Sequence, residues 1–210
     1  TIAVAKSFRK LLPSLKITVS KKRSPAHQRN EGAKLARHER LLFLDADAIL
    51  PPDFLEKALA EIQKNRLDVS AGFAIPISQK TLSTLIFLVQ NVATRTLESF
   101  YPLTAGGWTL FSTSTLHKRL NGFSESLNVF GEDTDYILRA KETGARFKML
   151  KTAIPYVSTR RVDYEAREGV RAISKFIING LAVLALGPQK AQKVLIRKYG
   201  DYAKLKKLTS

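Results

Sequence analysis

Two clusters of carboxylates carry the chemistry this sequence offers. Asp45-Ala46-Asp47 directly follows a continuous apolar run, Leu41 to Leu44. Such a run suits a strand buried on both faces, so both carboxylates are expected where the chain leaves the sheet, the edge at which open α/β sheets bind ligands. Two Asp side chains separated by one residue can point the same way and hold a hard divalent cation, with diphosphate oxygens and water completing its shell. The competing reading is a helix cap, but the next helix is expected to begin near Pro51, too far on for that contact. The second cluster is Gly131-Glu132-Asp133-Thr134-Asp135, at the expected start of a helix. The helix dipole there favours negative charge by ~0.3–1 kcal/mol, which alone would account for the acids. One acid would suffice for that, however, and crowded like charges raise proton affinity, which suits a general base.

Weaker signals surround these two. Arg29 and Asn30, on a helix leading to the Asp45 strand, could hydrogen-bond a nucleotide's phosphate or ribose; in isolation the stretch reads as a solvated basic helix. Arg160-Arg161 could clamp a diphosphate, since guanidinium matches phosphate oxygens, or be two more surface charges. Trp108, behind Gly106 and Gly107, is either core packing or a stacking platform. His27, His38 and His117 are scattered without ligand spacing, and with no cysteine there is neither a disulfide nor a thiolate metal site.

The elements that must position these residues follow from periodicity. Ile2, Ala5, Phe8 and Leu12 predict a helix, then Leu15, Ile17 and Val19 alternate as a strand does. Helices are predicted around Ala26 to His38 and from Pro51 onward, the latter with Phe54, Leu55, Ala58, Leu59 and Ile62 facing inward. Asp68 to Ile77 reads as a strand, Leu82 to Phe100 as an apolar helix, and Gly106 through Phe111 as another strand. Glu132 to Thr143 is a helix closed by Gly144, followed by strands near Phe147 to Leu150 and Ile154 to Val157. Amphipathic helices are expected over Tyr164 to Leu186 and Pro188 to Leu205. Strands alternating with helices indicate an α/β sheet covered on both faces.

Charge sharpens the division of labour. The net charge of +17 splits into +9 over residues 1–40 (11 basic, 2 acidic), −4 over 41–138 (7 and 11) and +12 over 139–210 (17 and 5). The acidic middle is expected to hold the chemistry and the basic ends to attract polyanions. Ile173, Phe176, Ile177, Leu181 and Leu184 form one apolar stripe beside Arg167, Arg171 and Lys175, so the C-terminal region either rests on an anionic membrane surface or packs on the sheet. The longest uncharged apolar run, Phe176 to Gly187, spans 12 residues, against roughly 20 for a membrane crossing.

In order, Arg29-Asn30-x-Gly32, Phe43-Leu44-Asp45-Ala46-Asp47, Gly106-Gly107, Asn121-Gly122-Phe123-Ser124-Glu125 and Gly131-Glu132-Asp133-Thr134-Asp135 resemble the family-2 glycosyltransferases of the GT-A fold. The resemblance implies a GT-A-like, Rossmann-related mixed sheet flanked by helices over residues 1–161, with a basic amphipathic helical region at 162–210. It implies an inverting transferase in which Asp45 and Asp47 hold a divalent cation, Mg or Mn, and the diphosphate of a nucleotide-sugar donor, helped by Arg29, Asn30, Arg160 and Arg161. Asp133 would deprotonate the hydroxyl of a glycan or lipid-linked acceptor, with Gly107, Trp108 and Glu132 on the acceptor side. Many members carry a metal-binding histidine at the position matched by Val157-Ser158-Thr159, where this sequence has Ser158. The family also has two strands and a helix ahead of the position matching Thr1, with a P-x-x-N turn and a D-D-x-S segment that hold the nucleoside. Neither motif occurs here, so the expectation is a chain lacking its N-terminal nucleotide-binding strands. The expected setting is the cytoplasm, at the inner face of a membrane. Other classes that fit are a two-metal nucleotidyl or phosphoryl transferase and a basic nucleic-acid-binding protein, though the basic residues are split between the ends without a recognition motif, and no nucleic-acid partner is expected.

Overall fold

The computed structural model describes residues 2–22, 24–77, 81–98, 107–127, 131–159, 170–191 and 193, with backbone alone for 81–83, 170–177 and 179. The elements are α1 (Ile2–Ser7), α2 (Pro25–Lys34), β1 (Arg40–Leu44), β2 (Ala48–Ile49), α3 (Phe54–Asn65), β3 (Val69–Gly72), β4 (Ile75–Pro76), α4 (Thr81–Leu97), β5 (Thr109–Thr113), α5 (Ser114–Arg119), α6 (Glu132–Glu142), β6 (Phe147–Leu150), β7 (Tyr156–Val157) and α7 (Val170–Ala191). The main sheet has the order β1-β5-β3-β6. β5 runs antiparallel to both β1 and β3, and β3 is parallel to β6, so the sheet is mixed. A smaller sheet, β2-β7-β4, joins β2 and β7 antiparallel and β4 and β7 parallel.

Alternation along these strands separates two cores. One face of the main sheet sends Leu41, Phe43, Val69, Ala71, Leu110 and Met149 against Ala26 of α2, Leu116 of α5 and Tyr136, Ile137 and Ala140 of α6. The other sends Phe111 and Leu150 against Phe54, Ala58 and Ile62 of α3. Under α4 a third cluster joins Phe87 to Ala74 and Val157, with Ala48 and Trp108 beside it. Fully burying one such side chain is worth about 1.5–3 kcal/mol, so each cluster can hold its helix to the sheet.

Several elements differ from the sequence reading, each for a packing reason. β1 is unevenly covered: Leu41 and Phe43 are buried on one face, whereas on the other Leu42 packs half-buried against the Phe54 cluster and Leu44, at the strand's end, is exposed. Leu15 to Val19 makes no strand, since its alternation meets no pairing partner there. α3 begins at Phe54 after Asp53 rather than at Pro51, and Leu55 and Leu59 face outward, leaving Phe54, Ala58 and Ile62 as its inner face. The stretch read as one strand from Asp68 to Ile77 is divided between β3 and β4, one in each sheet. Two short elements, β2 and α5, were not foreseen; α5 starts where the Thr113 side chain accepts the Leu116 amide at 3.0 Å. α7 is broken at Gly187 (φ 75°, ψ 159°) before Pro188, the boundary expected between the C-terminal helices.

Candidate active site

The Asp45-Ala46-Asp47 segment is a turn. The Asp45 amide donates to the Trp108 carbonyl at 3.0 Å, extending the β1–β5 ladder by one rung, and the Ala48 amide returns to the Asp45 carbonyl at 3.1 Å. Beyond the turn the Ser158 amide donates to the Asp47 carbonyl at 3.0 Å, so the position that carries serine instead of histidine lies directly beside Asp47. β1, β5 and β7 thus fix the backbone of the carboxylate pair.

Arg29 organises the centre. Its guanidinium donates through Nη2 to Asp45 Oδ1 at 2.8 Å and through Nη1 to Glu132 Oε1 at 2.9 Å, while lying over the Phe123 ring at 5.4 Å. One arginine therefore ties the end of β1 to the start of α6. Burial opposes its charge, but Glu132, Asp45 and Asp133 together outweigh that penalty and raise its pKa. Burial has the upper hand at Asp45: despite the Arg29 pair, its pKa is raised, with Asp47 and Glu132 adding repulsion.

Asn30, the next residue, faces the opposite task. Its amide nitrogen donates to the Phe123 carbonyl at 2.9 Å and its amide oxygen accepts the Phe123 amide at 2.8 Å, a reciprocal clamp on the segment after α5. Gly122 (φ +74°) is required there, because a Cβ would come within 2.5 Å of Asn30 Oδ1. The amide expected on the donor is thus engaged by the protein's own backbone. Glu125 completes the clamp, accepting from Asn30 at 3.2 Å and Lys22 at 2.9 Å and lying 3.0 Å from His27 Nδ1. The Lys22 and His27 contacts hold its carboxyl down to about pKa 2. The sequence reading quoted Glu125 in a motif without giving it a role.

The three acids at the start of α6 have separate environments. Glu132 pairs with Arg29. Asp135 is buried with both oxygens engaged, Oδ2 by Arg139 Nε and Oδ1 by Gln189 Nε2, each at 2.8 Å. Arg139 also donates to the Leu120 and Gly122 carbonyls, so Asp135 belongs to the framework. Asp133 is buried, accepts the Thr134 amide at 2.9 Å through Oδ1, and presses Oδ2 against Gly107. Gly107 (φ +53°) has no room for a Cβ there. Trp108 stacks on Phe87 at 5.3 Å and 17°, which makes it part of the α4 packing. A further buried network, Ser112–Tyr136–His117, lies in the core; burial pushes the Tyr136 hydroxyl up to about pKa 12 and, with Arg139, lowers the His117 pKa.

The structure therefore brings Arg29, Asp45, Glu132, Asp133, Gly107 and Trp108 around one point, with Asp47 at the adjoining turn. Arg160, Arg161 and Gly106 lie outside the described residues. Among the described residues no group of three or more His, Cys, Asp or Glu could hold a metal.

Residues 1–102 match the family model described as glycosyl transferase family 2. No curated protein matches the sequence significantly. Among solved structures, S. aureus TarS 1–349 in complex with UDP-GlcNAc aligns with a TM-score of 0.55 at 20% identity, covering 76% of this chain and 46% of that one. The mannosyltransferase PcManGT from Pyrobaculum calidifontis, solved with GDP-Man and Mn2+, aligns with a TM-score of 0.60 at 18% identity, covering 87% and 49%. The chain thus spans about half the length of either structure. At such identities the likeness is one of fold, and it is the mixed sheet flanked by helices of the GT-A glycosyltransferases. Sequence and fold point the same way: residues 1–102 match glycosyl transferase family 2, and the fold is that of GT-A glycosyltransferases.

Proposed function

We propose that the domain over residues 1–161 is an inverting glycosyltransferase that moves a sugar from a nucleoside-diphosphate sugar to a hydroxyl of a glycan or lipid-linked acceptor. The observation that carries this reading is the convergence of Asp45 at the end of β1 and Asp133 at the start of α6, with Arg29 between them. The solved relatives hold UDP-GlcNAc or GDP-Man, which supports a nucleotide-sugar donor here.

In this mechanism Asp133 accepts the proton of the acceptor hydroxyl as its oxygen attacks the anomeric carbon. The bond from that carbon to the diphosphate breaks, and the nucleoside diphosphate leaves. One displacement needs one base, and Asp133 is proposed for it from its place at the start of α6, against Gly107 and within the field of Arg29. Arg29 contributes positive charge at the donor end and orients Asp45. Asp45 and Asp47 suit Mg2+ or Mn2+ only together with donor oxygens, since such cations take one or two carboxylates plus phosphates and the chain places Ser158 where a histidine would add a ligand. A cation so held would neutralise charge developing on the departing diphosphate. Arg160 and Arg161 are proposed to act on the same diphosphate. The basic region 162–210 is proposed to meet anionic headgroups at the inner face of a membrane.

Mass spectrometry of products from a panel of nucleotide sugars and acceptors tests the reading, with NMR of the new linkage reporting inversion. Asp133→Asn should bind donor normally and lose turnover by ~10²–10⁴-fold. Near-normal transfer by that variant would remove Asp133 as the base.

A further inference from the structure

α4 has two faces, and only one is used by the fold. Phe87 and Thr94 point inward, Phe87 onto Trp108, and the Asn91 amide donates to the Ala74 carbonyl at 2.8 Å. On the opposite side Leu85, Leu88, Val89 and Val92, at i, i+3, i+4 and i+7, are 53, 57, 60 and 55% exposed. Helical spacing joins them into one apolar stripe. Arg95, one turn beyond Val92, is exposed and is the only charged residue of the helix. The nearest acid, Glu98, is drawn away from this face, because its carboxylate accepts the Met149 amide at 2.6 Å.

We infer that the outward face of α4 is a docking surface for an anionic lipid membrane. An apolar stripe ending in a long cation is the pattern of a helix lying in the membrane interface, side chains among the acyl chains and guanidinium among the headgroups. Charge favours this occupant over a second copy: two chains of +17 each repel, whereas an anionic leaflet attracts both the arginine and the molecule behind it. α4 backs onto Trp108, whose neighbour Gly107 touches Asp133, so docking through α4 brings the wall of the site to the lipid. That it thereby presents a lipid-linked acceptor rests on the proposed transferase reading; the docking itself does not.

The test is co-sedimentation, without donor or acceptor, on vesicles of phosphatidylcholine with phosphatidylglycerol and of phosphatidylcholine alone. The wild type should bind the anionic vesicles, and the triple variant Leu85→Gln/Leu88→Gln/Val92→Gln, exposed positions whose change circular dichroism should show to spare the fold, should bind them about tenfold more weakly or worse. Arg95→Gln should weaken binding to anionic vesicles alone. A wild type that ignores both vesicles at low salt overturns the proposal. So does a triple variant that binds as well as wild type, which would move the lipid contact elsewhere, or a wild-type dimer in gel filtration that the triple variant dissolves.

Discussion

Asp133 and Gly107 form a pair in which the absence of one side chain positions the other. Because a Cβ at Gly107 would overlap Asp133 Oδ2, and because its φ of +53° suits glycine, Gly107→Ala should push the carboxylate off its position. A misplacement of about 1 Å can cost on the order of 10²-fold in rate. The expected outcome is a folded variant with wild-type donor affinity in calorimetry and sharply lower turnover; unchanged turnover would separate Gly107 from the acid. At this scale the sequence was informative where chemistry is local. The Asp45 and Asp47 pair, and the acids around Asp133, were visible because their neighbours in sequence are their neighbours in space. The tasks of Asn30 and Glu125 were not, since the contacts of Asn30 with Phe123 and Glu125, and of Glu125 with His27, span 93 to 98 residues. The separate environments of Glu132, Asp133 and Asp135 were equally hidden, because they depend on Arg29, Arg139 and Gln189 from three helices.

Glu125 acts between elements. It fastens the segment that follows α5 to α2 through His27 and Asn30, and to the chain before α2 through Lys22. Its carboxyl is held at about pKa 2, below the usual 4.5, so the folded state binds its proton less readily than the unfolded chain. The stabilisation is complete above pH 4.5 and fades as pH falls towards 2, trimmed in size by solvent because the side chain is 36% exposed. Chemical denaturation across that window should show wild type losing more stability than Glu125→Gln; equal losses would mean that the clamp does not depend on the charge. Elements with a strong apolar period, α3, α4 and α6, were legible in the sequence. Those decided by partners were not. Leu15 to Val19 alternates but has nothing to pair with, and β2 with its two residues exists through its ladder to β7. The inner face of α3 was drawn too wide because periodicity shows which residues are apolar, whereas the narrow contact with Phe111 and Leu150 decides which are covered.

Across the whole molecule, acids gather in the middle of the chain and bases at its ends, a distribution read from the sequence and kept by the fold around Arg29. No described helix is long and apolar enough to cross a membrane. The mixed sheet was legible as a fold class, but its strand order was not, and that order bears on how the chain acquires its shape. β5 lies between β1 and β3, antiparallel to both, so among the described residues β1 meets the rest of the sheet only through a strand about 70 residues later. The family match ends at residue 102, before β5 begins at Thr109. A fragment ending after Glu98 should therefore lack cooperative thermal unfolding even though it contains Asp45, Asp47 and β1; a sharp transition in calorimetry would refute this. During synthesis the same order imposes a wait. Loops of this length close slowly, and until Thr113 has cleared the ribosome the apolar residues of β1 and β3 have no strand to receive them. The nascent domain then exposes the unpaired edges that chaperones recognise, and the first acidic pair acquires its geometry only once β5, preceded by the Trp108 carbonyl that receives the Asp45 amide, has been translated.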